Sequence, residues 1–217
     1  MNIQKLDPRA KAQQDVRDVR KRITQLDSDA LDLLLSGART HYSWQDRPVS
    51  DELIREIVKL TLDGPTSMNG SPARFVIVRS PEAKARLEKS LKPANIPKMR
   101  AAPATVIVAY DQEFWKQLLR LFPHEDRRHL FEHKPEYAAE TAFRNGTLQG
   151  AYFMIAARAL GLDVGALSGF SNKIVDEEFF ADTSLKSNFL INLGYGNETA
   201  LFGRLPRFDF EDVCKIL

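Results

Sequence analysis

Residues 64–74 read GPTSMNGSPAR, a stretch too rich in Gly, Pro and short hydroxyl residues to form a helix or a regular strand. It follows an amphipathic helix pattern and runs into the apolar residues Phe75-Val76-Ile77-Val78, so it predicts a shaped loop between a helix and a strand. Thr66, Ser67 and Asn69 offer hydroxyl and amide groups that both donate and accept hydrogen bonds. Such a loop suits a flat ligand with polar edges, although the composition fits an ordinary helix-to-strand connection equally well.

The length and charge of the chain limit its class. At 217 residues it is long enough for one domain with a substantial core, and we expect a single domain over residues 28–217 after a helical extension over residues 1–27. Charged residues make up 28% of the chain and the net charge is +2. We expect no nucleic-acid partner, because no dense basic patch interleaved with aromatic residues is visible.

The cysteine content and the hydropathy are those expected of a cytoplasmic protein. Cys214 is the one cysteine, so no internal disulfide can form, and the four His show no zinc-ligand spacing. We therefore expect no metal site. No apolar run approaches the roughly 20 residues that cross a bilayer, so we expect no membrane contact.

Hydrophobic spacing predicts the regular elements. The predicted helices cover 53–61, 81–91, 138–160 and 175–180, and the predicted strands cover 75–78, 105–109 and 189–193. Ser50 and Ser80 are placed to cap the first two of these helices, and Asp27 or Ser28 to cap an earlier one that stops at Gly37. The run 105–109 is apolar throughout, as in a strand covered on both faces, so the sheet should lie between helices.

Two segments are expected to be irregular. Residues 92–103 are rich in Pro, and residues 161–170 form a second Gly-rich connection whose backbone amides near Gly165 and Ala166 are available to a ligand. The second segment lacks the spacing of a dinucleotide-binding fingerprint or of a phosphate-binding P-loop.

Cations and hydroxyl groups that suit a phosphate occur at two places. Arg39 and Thr40 follow a predicted helix end, and the guanidinium fork matches phosphate oxygens. Arg204 and Arg207 flank a Pro in the C-terminal tail and can reach the same phosphate. The bland interpretation, solvated surface charge, remains open for both pairs.

Three features have two interpretations each. Residues 111–137, rich in aromatic residues and His, form either a lid over a pocket or a surface excursion pinned by buried rings. Gly146 and Gly150 in the long helix favour close packing, either within one subunit or across a dimer interface. In the N-terminal extension, one apolar helical face packs on the same subunit or on a second one; its residues are Val16, Val19, Ile23 and Leu26.

Taken in order, these motifs resemble the nitroreductase family of FMN-dependent oxidoreductases from about Ala30 to the C-terminus. Arg39-Thr40 resembles the family's early phosphate-binding stretch, and residues 65–72 resemble its Pro-Ser/Thr-Ser-x-Asn-x-x-Pro loop. Ala159 to Gly169 and Arg207 resemble the Gly-rich sequel of the long helix and the basic tail. Several ordered matches are more specific than any one of them.

The residues of these motifs most resemble one branch of the family, the malonic semialdehyde reductases of pyrimidine degradation. These enzymes are also described as 3-hydroxypropionate dehydrogenases. The runs that resemble this branch are ARTH at 38–41, GPTS at 64–67, SPAR at 71–74, ETAFRN at 140–145 and LKSN at 185–188. The chain departs from the wider family at Tyr42, where a second basic residue is frequent, and at Ala73, where a large residue is frequent.

The resemblance implies an α+β fold with a mostly antiparallel central sheet flanked by helices, and an intertwined homodimer with FMN at its interface. The implied cofactor-binding residues are Arg39, Thr40, His41, Pro65, Thr66, Ser67, Asn69, Gly165, Ala166, Arg204 and Arg207. Arg74 is assigned to the carboxylate of the substrate or to the reduced flavin.

The implied reaction is a two-step exchange. NAD(P)H gives a hydride to flavin N5 and leaves, and the reduced flavin passes a hydride to malonic semialdehyde, which yields 3-hydroxypropionate. FMN carries this chemistry, so no side-chain nucleophile is needed. The alternatives are a broad-specificity reductase of nitroaromatics or quinones and a non-catalytic flavin-binding sensor, and the sequence does not choose between NADH and NADPH.

Overall fold

The computed structural model describes residues 7–217 and divides into two compact units, residues 7–38 and residues 39–217. The first unit contains α1 (Pro8–Arg22) and α2 (Ser28–Leu31), which continues as a π-helical turn over Asp32–Ser36. Asp27 caps α2 by accepting a hydrogen bond from the backbone N–H of Ala30 at 2.8 Å, as predicted. The division falls after residue 38, at the end of these helical turns, and the expected extension over residues 1–27 and domain over 28–217 stay a prediction.

The second unit is built on one antiparallel sheet. Its strands are β1 (Ala73–Val78), β2 (Ala104–Asp111), β3 (Asp163–Leu167) and β4 (Leu185–Gly194). Their order is β1-β2-β4-β3, and every neighbouring pair is antiparallel. The mostly antiparallel sheet expected from the family resemblance is confirmed.

Helices cover both faces of this sheet. On one face lie α3 (Asp51–Leu62) and α7 (Pro135–Ala159), and on the other lie α4 (Pro81–Glu88), α5 (Ile96–Ala101) and α8 (Asn172–Phe179). The chain also forms two short helices, α6 (Leu118–Leu121) and α9 (Phe210–Val213). The predicted caps of α3 and α4 are present, since Ser50 accepts from the N–H of Leu53 and Ser80 from the N–H of Ala83.

Alternation along β2 divides the core between the two faces. Val106 and Val108 pack with α3 and α7, through residues such as Ile57 and Phe153. Ile107, on the opposite face, packs with α4, α5 and α8. The strand is therefore covered on both sides, as its continuous apolar run predicts.

The two glycines of α7 allow the helix to approach the sheet of its own chain. A Cβ at Gly146 would lie 2.8 Å from Cβ of Tyr110, and one at Gly150 would lie 2.6 Å from the ring of Phe189. Packing within one subunit accounts for both glycines, so a dimer contact is not needed to explain them.

Two segments expected to be irregular contain regular structure. Residues 163–167 form β3, the edge strand of the sheet, within the stretch predicted to be a Gly-rich connection. Residues 96–101 form α5, with Pro97 in its first turn, where a missing N–H costs nothing. Both predictions were wrong because Gly and Pro were taken as breakers in places where the tertiary structure tolerates them.

Segment 112–134, between β2 and α7, is pinned by its own apolar cluster. Phe114, Leu118 and Phe131 are fully buried and pack against Ala138 and Ala142 of α7. This arrangement fits the packing interpretation of the segment better than a mobile lid. No helix within residues 7–217 is long and apolar enough to span a membrane.

Candidate active site

The loop over residues 64–72 has an unusual backbone. Met68, Asn69 and Ser71 adopt positive φ angles of 51°, 51° and 40°, a region that non-Gly residues occupy at a cost of about 1 kcal/mol or more each. Side chains hold the loop in this form: Thr66 Oγ1 accepts from the N–H of Ser71 at 3.1 Å, and Asn69 donates to the carbonyl of Leu121 at 2.8 Å. Asn69, expected to face a cofactor, thus ties the loop to segment 112–134.

Two buried side-chain amides of α7 hold the loop through hydrogen bonds to its backbone. Asn145 Oδ1 accepts from the N–H of Ser67 at 2.8 Å, and Gln149 Oε1 accepts from the N–H of Ala73 at 2.9 Å. These side chains lie one helical turn apart and are buried, so they mark a face of α7 directed at the loop. Sequence reasoning missed both. The available signal was a pair of amides at i and i+4, which places both on one face of the helix.

Arg74 has contacts that tie the loop to the sheet. Its guanidinium donates to the carbonyls of Ser71 and Ala73 and forms an ion pair with Asp111 at 2.8 Å. Asp111 is nearly buried, and its other carboxylate oxygen accepts from Ser184 Oγ at 2.6 Å. Arg74 therefore braces the loop against β2, and its assignment to a substrate carboxylate or to the reduced flavin stays a prediction.

A cleft of about 630 Å³ opens beside the loop. The residues of this loop cleft that matter below are Pro65, Thr66, Ser67, Arg144, Asn145 and Leu148. The lining combines hydroxyl groups and an amide with apolar side chains. Three of the predicted cofactor-binding residues share this cleft.

A second, smaller cleft of about 220 Å³ lies at the edge strand β3. The residues of this strand cleft that matter below are His41, Tyr42, Asn95, Lys98, Gly165 and Ala166. The segment after Arg39 runs alongside β3, since Thr40 bridges Val164 and the N–H of His41 donates to the Val164 carbonyl at 3.1 Å. The sheet edge thereby brings His41, Gly165 and Ala166 together.

The His41 side chain is turned into the protein. Its Nε2 lies 3.3 Å from Asp163 Oδ1, and its Nδ1 is buried against Gly196 without a partner among the described residues. Asp163 Oδ2 accepts from the N–H of Gly196 at 2.8 Å, so the carboxylate joins both segments. Burial lowers the pKa of the neighbouring Arg158 guanidinium, and the Asp163 charge opposes that shift. The imidazole thus anchors the residue 39–44 segment to β3.

The predicted phosphate cations lie on two segments that meet. Arg39 donates to the carbonyl of Phe202, whose ring lies 6.1 Å from that of Tyr42. Arg204 and Arg207 follow Phe202 on the exposed tail, and Arg207 donates to the carbonyls of Leu205 and Pro206. The structure therefore joins the tail to Arg39 through Phe202, and a phosphate shared by Arg39, Arg204 and Arg207 stays a prediction.

Lys98 supplies a cation that sequence reasoning missed. Its ammonium lies 4.7 Å from the ring centroid of Tyr42 and 3.4 Å from Asn95 Oδ1. Tyr42 stands where the wider family frequently has a second basic residue, so Lys98 brings positive charge to that place from α5. Asn95 and Lys98 are three residues apart at the start of α5, so both side chains lie on one side of the helix. This spacing could have indicated the cation, but residues 92–103 were expected to be irregular.

The two clefts lie toward opposite ends of the sheet. Ala73, which follows the loop, pairs with Tyr110, whereas Gly165 pairs with Asn192, which pairs with Thr105. Thr105 and Tyr110 are separated by five steps along β2, or about 17 Å at 3.3 Å per residue. One copy of the chain therefore keeps the residues of the loop cleft and those of the strand cleft apart.

Comparison with known proteins identifies the family. A model of the nitroreductase family matches residues 35–195. A Burkholderia lata protein named NADH dehydrogenase/NAD(P)H nitroreductase is 55% identical over 194 residues, which cover 89% of this chain and 100% of that protein. The chain belongs to the nitroreductase family. As a member, it is an oxidoreductase.

Solved structures agree on the nitroreductase fold. A nitroreductase of Exiguobacterium sibiricum in complex with FMN has a TM-score of 0.77 at 22% identity, covering 90% of this chain and 100% of that one. An NAD(P)H:FMN oxidoreductase of Staphylococcus epidermidis has a TM-score of 0.78 at 18% identity, covering 90% and 98%. Within residues 7–217 of this nitroreductase, no group of three or more His, Cys, Asp or Glu side chains could hold a metal ion.

Proposed function

We propose that this nitroreductase binds FMN and uses NAD(P)H to reduce malonic semialdehyde to 3-hydroxypropionate. The aldehyde carbon gains two electrons and a proton, its oxygen gains a second proton, and NAD(P)H is oxidised to NAD(P)⁺. Bound FMN would supply the two-electron relay between these partners. The chain's own residues hold the cofactor and position the acceptor.

The residues of the strand cleft and of the basic segments next to it fit FMN. Arg39 and the tail cations suit its phosphate, and the amide of Asn95 and the ammonium of Lys98 suit the polar edge of the ring. Strand β3 lies at the edge of the sheet, and alternation along it turns the backbone N–H and C=O groups of Ala166 away from β4, where they can meet a ligand. The absence of a side chain at Gly165 keeps that edge close to His41.

The site is completed by a second copy of the chain. Because the loop cleft and the strand cleft lie about 17 Å apart along β2 in one copy, a single flavin ring cannot contact both within that copy. A homodimer that sets the loop of one copy against the β3 edge of the other would bring them together. Large apolar side chains left exposed on α3 and α7 support such an interface; they are Leu60, Leu62, Phe143, Leu148 and Ile155.

The decisive experiment is spectroscopic. Purified protein should show the visible absorption of oxidised FMN, lose it anaerobically on addition of NADPH or NADH, and regain it on addition of malonic semialdehyde with formation of 3-hydroxypropionate. Colourless protein that takes up no FMN would refute the proposal. Bleaching without turnover of any acceptor would identify a sensor, and a much higher kcat/KM for a nitroaromatic or a quinone would identify the broad-specificity reductase, which an open cleft also favours.

Replacing Arg39 should weaken FMN retention. Arg39→Ala removes a charge-assisted donor to the phosphate, which predicts a rise in the FMN Kd of about tenfold to a hundredfold. The Kd is measured by fluorescence titration of protein from which FMN has been removed. Arg100→Ala is the matched control, because Arg100 pairs with Glu88 at 2.6 Å and lines neither cleft. Equal flavin affinity in the Arg39 and Arg100 variants would reject the phosphate role.

A mixed dimer shows whether that site is shared between copies. Arg39→Ala and Asn145→Ala subunits are co-expressed with different tags, and dimers carrying both tags are isolated. In a shared site, one site of the mixed dimer carries both changes and the other carries neither, so one site retains FMN with native affinity. If each site lies within one copy, both sites carry a defect and no native-affinity site remains.

A further inference from the structure

The loop cleft contains a cation that the proposed chemistry has not used. Arg144 lies on α7 beside Asn145 and lines the cleft together with Thr66 and Ser67. Among the described residues that line this cleft, it is the one that carries a positive charge. The backbone of Arg144 is set by the same helix whose Asn145 and Gln149 hold the loop.

Among residues 7–217, Glu140 is the recorded partner of the Arg144 guanidinium, and it is exchangeable. The guanidinium donates to Glu140 one helical turn earlier, and the side chains of Arg144 and Glu140 are 66% and 61% exposed. An ion pair this exposed contributes little to stability, so exchanging the Glu140 carboxylate for another carboxylate costs little. Arg74, by contrast, is bound to two backbone carbonyls and to Asp111 and has no such freedom.

We infer that Arg144 binds the carboxylate of the electron acceptor and makes the enzyme prefer short oxo acids to neutral acceptors. The planar guanidinium can bind a carboxylate through two parallel hydrogen bonds. Pro65, Leu148 and Ala151 give the cleft an apolar wall for a short carbon chain. Glu140 competes for the same guanidinium and moderates the affinity. This inference rests on the proposed function, because it assigns a substrate group within the same site.

Three substitutions, two at Arg144 and one at its partner Glu140, test the inference. Arg144→Gln should raise KM for malonic semialdehyde by about tenfold, the loss expected for a partly exposed charge-assisted contact. Arg144→Lys should restore part of the affinity, since it keeps the charge without the fork. Glu140→Gln should lower KM, because it removes the competing carboxylate. Lys173→Gln is the control. It also removes an exposed cation from an ion pair with a Glu one helical turn away, Glu177, but Lys173 lies on α8 and lines neither cleft.

Matched acceptors separate charge recognition from a general defect. KM is measured for 4-nitrobenzoate and for the neutral 4-nitrobenzyl alcohol, and Arg144→Gln should raise only the first. Calorimetric titration with 3-hydroxypropionate gives a readout independent of turnover, and its Kd should rise with the KM of the aldehyde. FMN content and Tm of each variant confirm that the site is intact.

The outcomes distinguish the inference from the proposed function. If the wild-type enzyme reduces malonic semialdehyde and Arg144→Gln changes the anionic and neutral acceptors alike, the role of Arg144 is overturned while the function stands. If the wild-type enzyme reduces the nitro compounds but not the aldehyde, the proposed substrate is overturned. The nitrobenzoate and nitrobenzyl alcohol pair then still decides whether Arg144 selects carboxylates.

Discussion

Gly165→Ala is expected to lower the free energy of unfolding by about 2–3 kcal/mol, as overpacking of a tight site does, and to reduce FMN retention with it. The added Cβ would lie 2.4 Å from the carbonyl oxygen of His41, a backbone atom that cannot rotate away. Relieving this clash requires the residue 39–44 segment to leave β3, which breaks the hydrogen bond from the N–H of His41 to Val164. The segment that carries Arg39 would then shift. Urea unfolding and FMN titration measure the two effects.

Gly203→Ala is the matched control for this prediction. A Cβ at Gly203 has no atom within 4 Å, so the same chemical change should leave stability and FMN retention as they are. Gly165 does not adopt a positive φ, so its replacement tests the close approach alone and not a backbone preference. If Gly165→Ala unfolds at the same urea concentration as Gly203→Ala, the β3 edge does not hold the phosphate-binding segment as described.

Elements with local signals could be predicted from the sequence. The Ser50 and Ser80 caps, the apolar strand around 105–109 and the long helix α7 depend on residues close in sequence, and the structure shows each of them. β3 could not be predicted in this way. Gly165 sits in a strand because a neighbouring segment needs the space of its missing side chain, and that neighbour lies more than a hundred residues earlier.

In the candidate site too, features with a local sequence signal could be predicted, and features that depend on tertiary contacts could not. The loop and the basic segments could be located, because unusual composition marks them. The role of Arg74 could not, because it depends on Asp111, which reaches it only through the pairing of β1 with β2. Asn145 and Gln149 were read as parts of a core helix, and their contacts with the loop depend on how α7 packs. Side-chain direction is thus the information that the sequence lacked.

Phe114→Ala is expected to have the largest effect on stability, a loss of about 3–5 kcal/mol. Phe114 is 1% exposed, and its ring packs edge-on against that of Phe131, with the ring centroids 5.1 Å apart. The Phe114 ring also covers Gly70, since a Cβ added there would lie 2.8 Å from it. The cavity left by Ala would therefore loosen segment 112–134 and the strained loop together. Without that support, the residues with positive φ can relax and the loop cleft loses its shape.

Leu119→Ala, five residues along the same segment, is the control. Leu119 is 50% exposed, so its truncation should cost no more than about 0.5–1 kcal/mol. Urea unfolding gives the free energies, and FMN release and kcat are measured on the same samples. If segment 112–134 is a packed part of the core, stability and FMN retention should fall together in the Phe114 variant. A lid predicts instead that kcat changes while unfolding matches that of the Leu119 variant, because a lid opens without unfolding the core.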